Sequence, residues 1–381
     1  MGRTQDNGAR QVHAGIDDII PILIDRRLIP YDAVLAGEVM VEAVPRRQRN
    51  FRVQVNGSSG VFVKQPEALA SNGYATFQAE ADFYTEYASC EGANELGVPH
   101  LLLYDRSIPL LAIEFLPHHR TLSDHCRCFT HGQFPIGTLR ELGERIAVLH
   151  TVLGGCGRAR RPGLGGQEEA LPWVLSAHEP RPDALASLGP AGLVVLGIVQ
   201  ASPGIREGLT ELTHLWRSDA VTHGDLRADN VLVRGATGHL TDLRIIDWEL
   251  VGAGDACWDV ACAIHGMIVL WLQSTPLDCA DATAGPPATL SSAERLPWPV
   301  LQASVRALWQ GYVDRMGHDG TWTKHAVPKV TSLVAARLLQ TTLEVSGEEA
   351  EMSAYAVLLL QLCANMLAEP DRAAAHLLAI A

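Results

Sequence analysis

The sequence predicts an α+β protein of two lobes, a small lobe built on an antiparallel sheet and a larger lobe that is mostly helical. Three observations predict this fold class. Residues 38–64 alternate between polar and apolar side chains, as short strands with one buried face do. From about residue 137 onward, apolar residues recur at helical spacing. The 381 residues are enough for two hydrophobic cores, and we expect lobes at 1–117 and 118–381.

The composition excludes several classes of protein. A hydrophobic content of 47% and a charged content of 19% are ordinary for a soluble globular protein. The net charge of −13 argues against a nucleic-acid partner, which would favour clustered basic residues. The most apolar run, residues 260–272, is too short to span a bilayer and predicts a buried helix. Because the chain begins with a polar segment and its eight cysteines lack framework spacing, we expect a cytoplasmic protein with reduced thiols and no membrane association.

The first lobe is predicted to contain two helices and five strands. Residues 16–28 and 74–88 are the predicted helices. The strands are predicted at residues 38–43, 51–55, 61–64, 99–104 and 110–115. A glycine-containing turn at residues 56–60 joins the second strand to the third. The chain then leaves the lobe through a hinge near residues 114–117.

The second lobe is predicted from its helical periodicity. Residues 139–153 form an amphipathic helix, and residues 171–218 form further helices. Residues 274–296 are rich in Pro, Thr, Asp, Ala and Ser and predict a loop. The last helices are predicted to be centred near Leu308, Leu338, Leu360 and Leu377.

Residues 222–259 carry the strongest chemical pattern. Asp225 and Asn230 stand five residues apart, which is the spacing of a kinase catalytic loop. Two apolar stretches around a Gly-Ala-Thr-Gly turn then predict a hairpin that returns Asp247 to the side of Asn230. Because Mg²⁺ prefers carboxylate and amide oxygens, the pattern predicts a magnesium site beside a carboxylate that can accept a hydroxyl proton.

These residues resemble the aminoglycoside phosphotransferase and choline kinase superfamily. Its motif is His-Gly-Asp, then an Asn, then a metal-binding Asp in Ile-Asp-Trp or Ile-Asp-Phe, and the likeness extends from about residue 40 to the C-terminus. The resemblance implies a bilobal protein-kinase-like fold and transfer of the γ-phosphate of ATP to a hydroxyl, with Mg²⁺. It implies that Asp225 is the catalytic base and that Asn230 and Asp247 are the Mg²⁺ ligands. Asp259 is implied to be a structural acid that holds the catalytic loop.

Arg227 departs from the family pattern, in which many members have histidine at this position. We assign Arg227 to the catalytic site and leave two interpretations open. It contacts the γ-phosphate or an acceptor carboxylate, or it braces Asp247 or Glu249. Glu249 itself is open between an approach to the metal or acceptor and a structural role.

The resemblance also assigns the residues that bind ATP. A lysine at the end of the third strand holds the α and β phosphates in such a fold, and this residue is Lys64. Of the two candidate partners on the next helix we favour Glu80 over Glu86, since Ala-Asp-Phe-Tyr follows Glu80 and the two acids point to different faces. Backbone atoms around Glu114 and Leu116 are expected to bond the adenine.

The loop between the first two strands, residues 45–51, contains no glycine. Its arginines offer forked donors for phosphate oxygens, and Asn50 matches the residue that often ends this loop in the resembled family. The alternative is that the arginines are solvated or bind an acidic partner. We assign Arg47, Arg49 and Asn50 to the ATP site, with Arg46 beside them.

Competing classes of site have weaker support. A cluster of histidines and cysteines follows the hinge, but its spacing matches no closed zinc site, so we favour loop residues; the cluster comprises His118, His119, His125, Cys126, Cys128 and His131. A Ser-His-Asp hydrolase is excluded by the lack of a Gly-x-Ser-x-Gly elbow. A dinucleotide site is excluded by the lack of a glycine fingerprint at a helix start.

The acceptor hydroxyl is open between two classes. Short motifs at 46–53, 63–65, 225–227 and 247–249 resemble the stand-alone kinases of class V lanthipeptide and thioamitide pathways. They favour a Ser or Thr of a ribosomally made precursor peptide, phosphorylated before a partner lyase eliminates it. The other class is a small molecule such as an aminoglycoside, macrolide, choline or sugar-like metabolite, since an acidic protein suits a cationic acceptor. A non-catalytic, kinase-shaped scaffold is the remaining alternative.

Overall fold

The chain forms two compact units in the computed structural model. Unit 1 comprises Met1–Ser89 and Val98–His118, and unit 2 comprises Cys90–Gly97 and His119–Ala381. The structure describes residues 15–45, 48–66, 72–87, 90, 92–127, 134–153, 171–186, 188–236, 239–274 and 296–380.

The segment 90–97, which the sequence places in the first lobe, belongs instead to unit 2. Its contacts explain the difference. The Gly97 carbonyl oxygen accepts the backbone N–H of Ile245 at 2.8 Å. Glu95 forms an ion pair with Arg315 at 2.5 Å and its carbonyl oxygen accepts the guanidinium of Arg145. A local sequence pattern contains no information on these long-range contacts.

Unit 1 is a five-stranded antiparallel sheet with three helices. The strands are β1 Val39–Pro45, β2 Arg49–Val55, β3 Ser59–Gln65, β4 Leu101–Asp105 and β5 Leu110–Glu114, in the order β1-β2-β3-β5-β4. The helices are α1 Ile16–Asp25, α2 Tyr31–Leu35 and α3 Asn72–Tyr87. The predicted strands and both predicted helices are confirmed.

Apolar side chains of α1 and β2 form the core of unit 1. Ile19 and Leu23 lie on one face of α1, four residues apart, and are fully buried. They belong to one buried cluster with Phe51 and Val53 of β2. This packing fixes the position of β2. Strand β3 pairs with the edge of β2 opposite β1.

The connection between β1 and β2 is shorter than the sequence predicts. The strands pair from Val39 opposite Val55 to Pro45 opposite Arg49, so the connection is residues 46–48. Arg49 and Asn50 therefore lie in β2 rather than in a loop. Such a short connection is typical of antiparallel hairpins, because continued strand pairing satisfies more backbone groups.

Unit 2 is mainly helical and contains two small sheets. Its α-helices are α4 Leu122–Arg127, α5 Ile136–Val148, α6 Pro182–Ala186, α7 Pro190–Ala201, α8 Pro203–Leu215, α9 Ala256–Ser274, α10 Trp298–Met316, α11 Gly320–Ser346, α12 Ala354–Ala368 and α13 Pro370–Ala373. Its strands are β6 Arg120–Thr121, β7 Ala220–Thr222, β8 Val231–Ala236, β9 His239–Ile245 and β10 Gly252–Gly254, paired as β6-β8-β9 and β10-β7. A π-helical turn, Leu149–Leu153, extends α5. The predicted helices are confirmed, and most of the loop predicted at 274–296 lies outside the described residues.

Helix α9 is the buried helix that the sequence predicts, but it is longer than expected. It has 19 residues, and by length and composition alone it would be long and apolar enough to cross a membrane. Of its most apolar 18-residue segment, 78% is buried inside the protein. A core helix of a folded unit has this property, and α9 is such a helix in unit 2.

Helices α5 and α10 pack with their backbones in close contact. A Cβ atom at Gly143 of α5 would overlap the backbone oxygen of Leu308, and a Cβ atom at Gly311 of α10 would overlap the backbone oxygen of Arg140. Only glycine permits such an approach at either position. This packing matters because α10 and the π-helical turn that extends α5 supply side chains to the site described below.

We expect Gly143→Ala to destabilise unit 2 by about 1–3 kcal/mol, because the added methyl group forces α5 and α10 apart. The matched control is Gly137→Ala in the same helix, where nothing lies within 4 Å of the added Cβ. Denaturant unfolding of both variants measures the difference. Equal unfolding midpoints for the two variants would contradict the close packing of these helices.

Candidate active site

The first turn of α9 is held in place by Asp255. Its carboxylate accepts the backbone N–H of Cys257 at 3.0 Å and that of Arg217 at 2.9 Å. Lys329 of α11 forms an ion pair with the same carboxylate. Such capping fixes where the helix begins, and Asp259 follows one turn later on the same face.

Asp259 binds the backbone of the loop at residues 223–230. Its fully buried carboxylate accepts the N–H of His223 at 2.8 Å and the N–H of Gly224 at 3.0 Å. His150 Nε2 lies 3.3 Å from the same carboxylate. The prediction that Asp259 holds this loop is confirmed, because three donors on one buried anion fix the loop at its first residues.

His150 and Tyr312 extend this network to the α5–α10 pair. His150 follows α5, and its Nδ1 lies 3.1 Å from the hydroxyl of Tyr312 on α10. Burial raises the pKa of Tyr312, so its hydroxyl stays protonated. Because a carboxylate only accepts, His150 donates from Nε2 to Asp259, and the Tyr312 hydroxyl lies within hydrogen-bonding distance of Nδ1.

Gly224 is required by the loop geometry. Its φ is +83°, in the left-handed region, and a Cβ atom would lie 2.6 Å from the backbone oxygen of Leu250. Its carbonyl oxygen accepts the indole N–H of Trp258 at 2.9 Å. Only glycine fits at this position of the His-Gly-Asp motif. The turn of its backbone sets the position of the next residue, Asp225.

The hairpin of β8 and β9 brings Asp247 beside Asn230, as the sequence predicts. Val231 pairs with Ile245, and the backbone N–H of Ile246 donates to the Asn230 carbonyl oxygen at 3.0 Å. Asp247 itself has a φ of +71°, which is an unusual conformation for a residue with a side chain. Aspartate adopts this conformation more readily than most residues do, and such conformations cluster at functional sites.

The side chain of Asn230 has an unused acceptor. Its Nδ2 donates to the Asp225 carbonyl oxygen at 2.9 Å. Its Oδ1 is buried and has no hydrogen-bond partner within the described part of the chain. Because a buried acceptor without a partner is unfavourable, this oxygen suits a cation supplied with the substrate, and the Asp247 carboxylate is the second oxygen donor on the hairpin.

Asp225 is contacted by two arginines, and the sequence predicts neither contact. Arg337 of α11 donates from Nη2 to Asp225 Oδ1 at 2.9 Å. Arg227 lies with Nε 3.2 Å from Asp225 Oδ2. A signal for Arg337 was present in the sequence, since it is a lone charge within the apolar stretch at 333–339, where an arginine is expected to be paired.

Lys64 and Glu80 form a buried ion pair in unit 1. The Lys64 ammonium lies 2.7 Å and 2.8 Å from the two carboxylate oxygens of Glu80. The preference for Glu80 over Glu86 is confirmed. Asn50 of β2 pairs in register with Lys64 of β3 and is buried, and Arg49 precedes it at the start of β2. Arg47 lies outside the described residues.

The predicted hinge follows the end of β5. The Glu114 carboxylate accepts the backbone N–H of His100 at 3.3 Å, and the Glu114 N–H donates to the His100 carbonyl oxygen at 2.8 Å. The Phe115 N–H donates to Gly60 at 3.2 Å. Binding of adenine here stays a prediction.

The histidine and cysteine cluster contains residues with separate structural contacts. His119 pairs with Asp242 at 3.2 Å, and Cys126 is buried, which raises its pKa to about 12. In the ranges that the structure describes, no three His, Cys, Asp or Glu side chains form a metal-binding group. Cys128 and His131 lie outside these ranges.

Comparisons with known proteins identify a matching family profile and similar folds. The profile of the phosphotransferase enzyme family matches residues 42–289. A choline kinase from Cryptosporidium parvum Iowa II superposes with a TM-score of 0.55 at 11% identity, covering 92% of this chain and 97% of that chain. A choline/ethanolamine kinase family protein from Mesorhizobium loti gives 0.50 at 16% identity, covering 95% and 98%. No curated protein matches the chain. The predicted fold class is confirmed.

We expect Asp259→Asn to destabilise unit 2 by about 1–3 kcal/mol, because the amide nitrogen replaces an acceptor and faces a backbone N–H. Asp319→Asn is the matched control. Asp319 caps α11 by accepting the N–H of Trp322 at 2.8 Å, and asparagine caps a helix equally well. Unfolding midpoints and hydrogen exchange at the Gly224 amide measure the effect. Unchanged exchange at Gly224 would contradict the role of Asp259.

Proposed function

Because the chain belongs to the phosphotransferase enzyme family, we propose that it transfers the γ-phosphate of ATP to an acceptor hydroxyl with Asp225 as the catalytic base. The protein is an ATP-dependent phosphotransferase, as the sequence predicts. One observation supports the assignment of residues. The loop at 223–230 and the β8–β9 hairpin bring Asp225, Asn230 and Asp247 together, and the Oδ1 atom of Asn230 has no hydrogen-bond partner among the described residues.

We assign phosphate binding in unit 1 to Lys64. The buried Glu80 carboxylate holds its ammonium in one position, so little side-chain freedom is lost when it contacts the nucleotide. Asn50, opposite Lys64 on the neighbouring strand, adds a polar group on the same face of the sheet. The proposal includes Arg47 and Arg49 as phosphate contacts and the backbone near Glu114 and Leu116 as the adenine contact.

We assign the metal site to Asn230 and Asp247. A Mg²⁺ ion held there would neutralise charge on the phosphates during transfer. Asn230 offers its Oδ1, which has no hydrogen-bond partner among the described residues, and Asp247, with its backbone in the left-handed region, offers a carboxylate. Both are hard oxygen donors, which is the ligand chemistry that Mg²⁺ prefers.

We assign proton removal to Asp225. The acceptor hydroxyl loses its proton as its oxygen bonds to phosphorus, and a positioned carboxylate typically accelerates such a step by about 10²–10⁴-fold. Arg227 contacts this carboxylate, and we propose that it exchanges this contact for one with the transferred phosphate or the acceptor.

We propose a Ser or Thr of a precursor peptide as the acceptor, with a partner lyase acting on the product. The short motifs at 46–53 and 225–227 support this proposal, as do the two arginines at Asp225, which do not suit a polycationic acceptor. A small hydroxyl compound is the second candidate, favoured by the net charge of −13.

The acceptor is tested by incubating the enzyme with ATP and Mg²⁺ and either a Ser/Thr-containing precursor peptide or choline and an aminoglycoside. We expect mass spectrometry to show one added phosphate on the peptide. Asp225→Asn is expected to abolish this gain while ATP binding by calorimetry remains. Phosphorylation of a small molecule, with an unmodified peptide, would assign the enzyme to the second candidate.

The metal assignment is tested by Asp247→Asn. We expect the Mg²⁺ concentration for half-maximal rate to rise by at least about tenfold, because removing an anionic ligand weakens a hard-cation site. Asp242→Asn is the matched control on β9, where the carboxylate pairs with His119 and Arg244 instead. Titration of rate and of ATP binding with Mg²⁺ measures the change. Identical curves for both variants would exclude Asp247 as a ligand.

A further inference from the structure

The two carboxylate oxygens of Asp225 have different partners. Oδ1 accepts Nη2 of Arg337 at 2.9 Å, with hydrogen-bond geometry. Oδ2 lies 3.2 Å from Nε of Arg227 and 3.4 Å from Nδ2 of Asn230. The Nε of Arg227 is without a hydrogen bond of good geometry among the described residues. The Oδ1 contact is therefore the better formed of the two.

The two arginines differ in how firmly they are held. The Arg337 side chain is 4% exposed, whereas that of Arg227 is 43% exposed. Arg337 also donates from Nη1 to Gln340 at 2.7 Å, and its guanidinium lies 5.5 Å from the ring centre of Trp258. Arg337 is thus buried and contacts Asp225, Gln340 and Trp258, whereas Arg227 is exposed and its contact with Asp225 is poorly aligned.

The surroundings of Arg337 make Asp225 its essential counter-ion. Burial and the positive charges of Arg337 and Arg227 hold the pKa of His265 well below its ordinary value, so this neighbour is neutral. His265 bonds Thr341 at 2.9 Å rather than Asp225. Within the described ranges, the ion pair that Arg337 forms is the one with Asp225.

We propose that Arg337 is a positioning residue that holds Oδ1 of Asp225 and thereby makes Oδ2 the oxygen that receives the proton. This rests on the proposed role of Asp225 as the base. The acceptor oxygen forms a bond to the γ-phosphorus, the bond from that phosphorus to the bridging oxygen of ADP breaks, and the acceptor proton passes to Oδ2. Arg227 leaves Oδ2 when substrate binds, and Arg337 stays and fixes the carboxylate plane.

The test compares Arg337→Met and Arg337→Lys with the wild type. We expect the methionine variant to lose about 10²-fold in kcat, since a misplaced reacting group costs about this much, with KM for ATP nearly unchanged. The lysine variant is expected to recover part of the loss, because an ammonium supplies the charge without the planar fork. The lysine variant also keeps a positive charge beside Asp225. If the methionine variant does not fold, the kcat of the lysine variant provides the test. Rates are measured with the acceptor of highest turnover and with Mg·ATP alone, where water is the acceptor.

Arg315→Met is the matched control. Arg315 of α10 is another paired arginine of unit 2, and its ion pair is with Glu95 rather than Asp225. We expect this variant to keep the kcat of the wild type. An unchanged kcat in Arg337→Met, or an equal loss in Arg315→Met, would overturn the proposal. A wild-type enzyme that releases no ADP with any acceptor or with water would overturn the proposed function itself, and the role of Arg337 with it.

Discussion

A buried carboxylate holds the central loop of unit 2 in place. Asp259 is fully buried, and it accepts the backbone N–H groups of His223 and Gly224 together with the ring of His150. A buried charge is tolerated only where several donors surround it, so these contacts must all form together. The position of Asp225, one residue beyond Gly224, follows from them.

The helices around Asp259 help to fix the position of this loop. The backbone contact between α5 and α10 brings His150 and Tyr312 together, and the cap at Asp255 fixes the start of α9. Helix α11 crosses the same region and supplies two cations, Lys329 to Asp255 and Arg337 to Asp225. Since a buried charge without its partner is costly, α11 packs where both cations reach their carboxylates.

The sequence predicts pairs of residues that are close together in the chain. In unit 2, the hairpin between Asn230 and Asp247 follows from strand periodicity and a glycine turn. In unit 1, the family resemblance assigns Lys64, and the Ala-Asp-Phe-Tyr that follows Glu80 favours Glu80 as its partner. Arg337 could not be placed in the same way, because 112 residues separate it from Asp225. Contacts of this length depend on how helices pack, which periodicity does not determine.

The predicted and observed positions of Asn50 also differ, although by only a few residues along the chain. The sequence places Asn50 in a phosphate loop, but strand pairing continues to Arg49, so Asn50 lies in β2 opposite Lys64. Alternation of buried and exposed residues identifies the middle of a strand, but it does not determine the residue at which the strand begins or ends. The residue nevertheless remains beside Lys64, since register decides which side chains are neighbours.

The central claim is that Asp225, held by Arg337, acts as a base in one direct transfer of phosphate to the acceptor. The stereochemistry of transfer tests it most directly. ATP made chiral at the γ-phosphorus with three oxygen isotopes is converted to product, and the configuration of the transferred phosphate is determined. One in-line displacement predicts inversion at phosphorus. Retention would mean two displacements through a phosphorylated enzyme group and would contradict the role of Asp225 as the base.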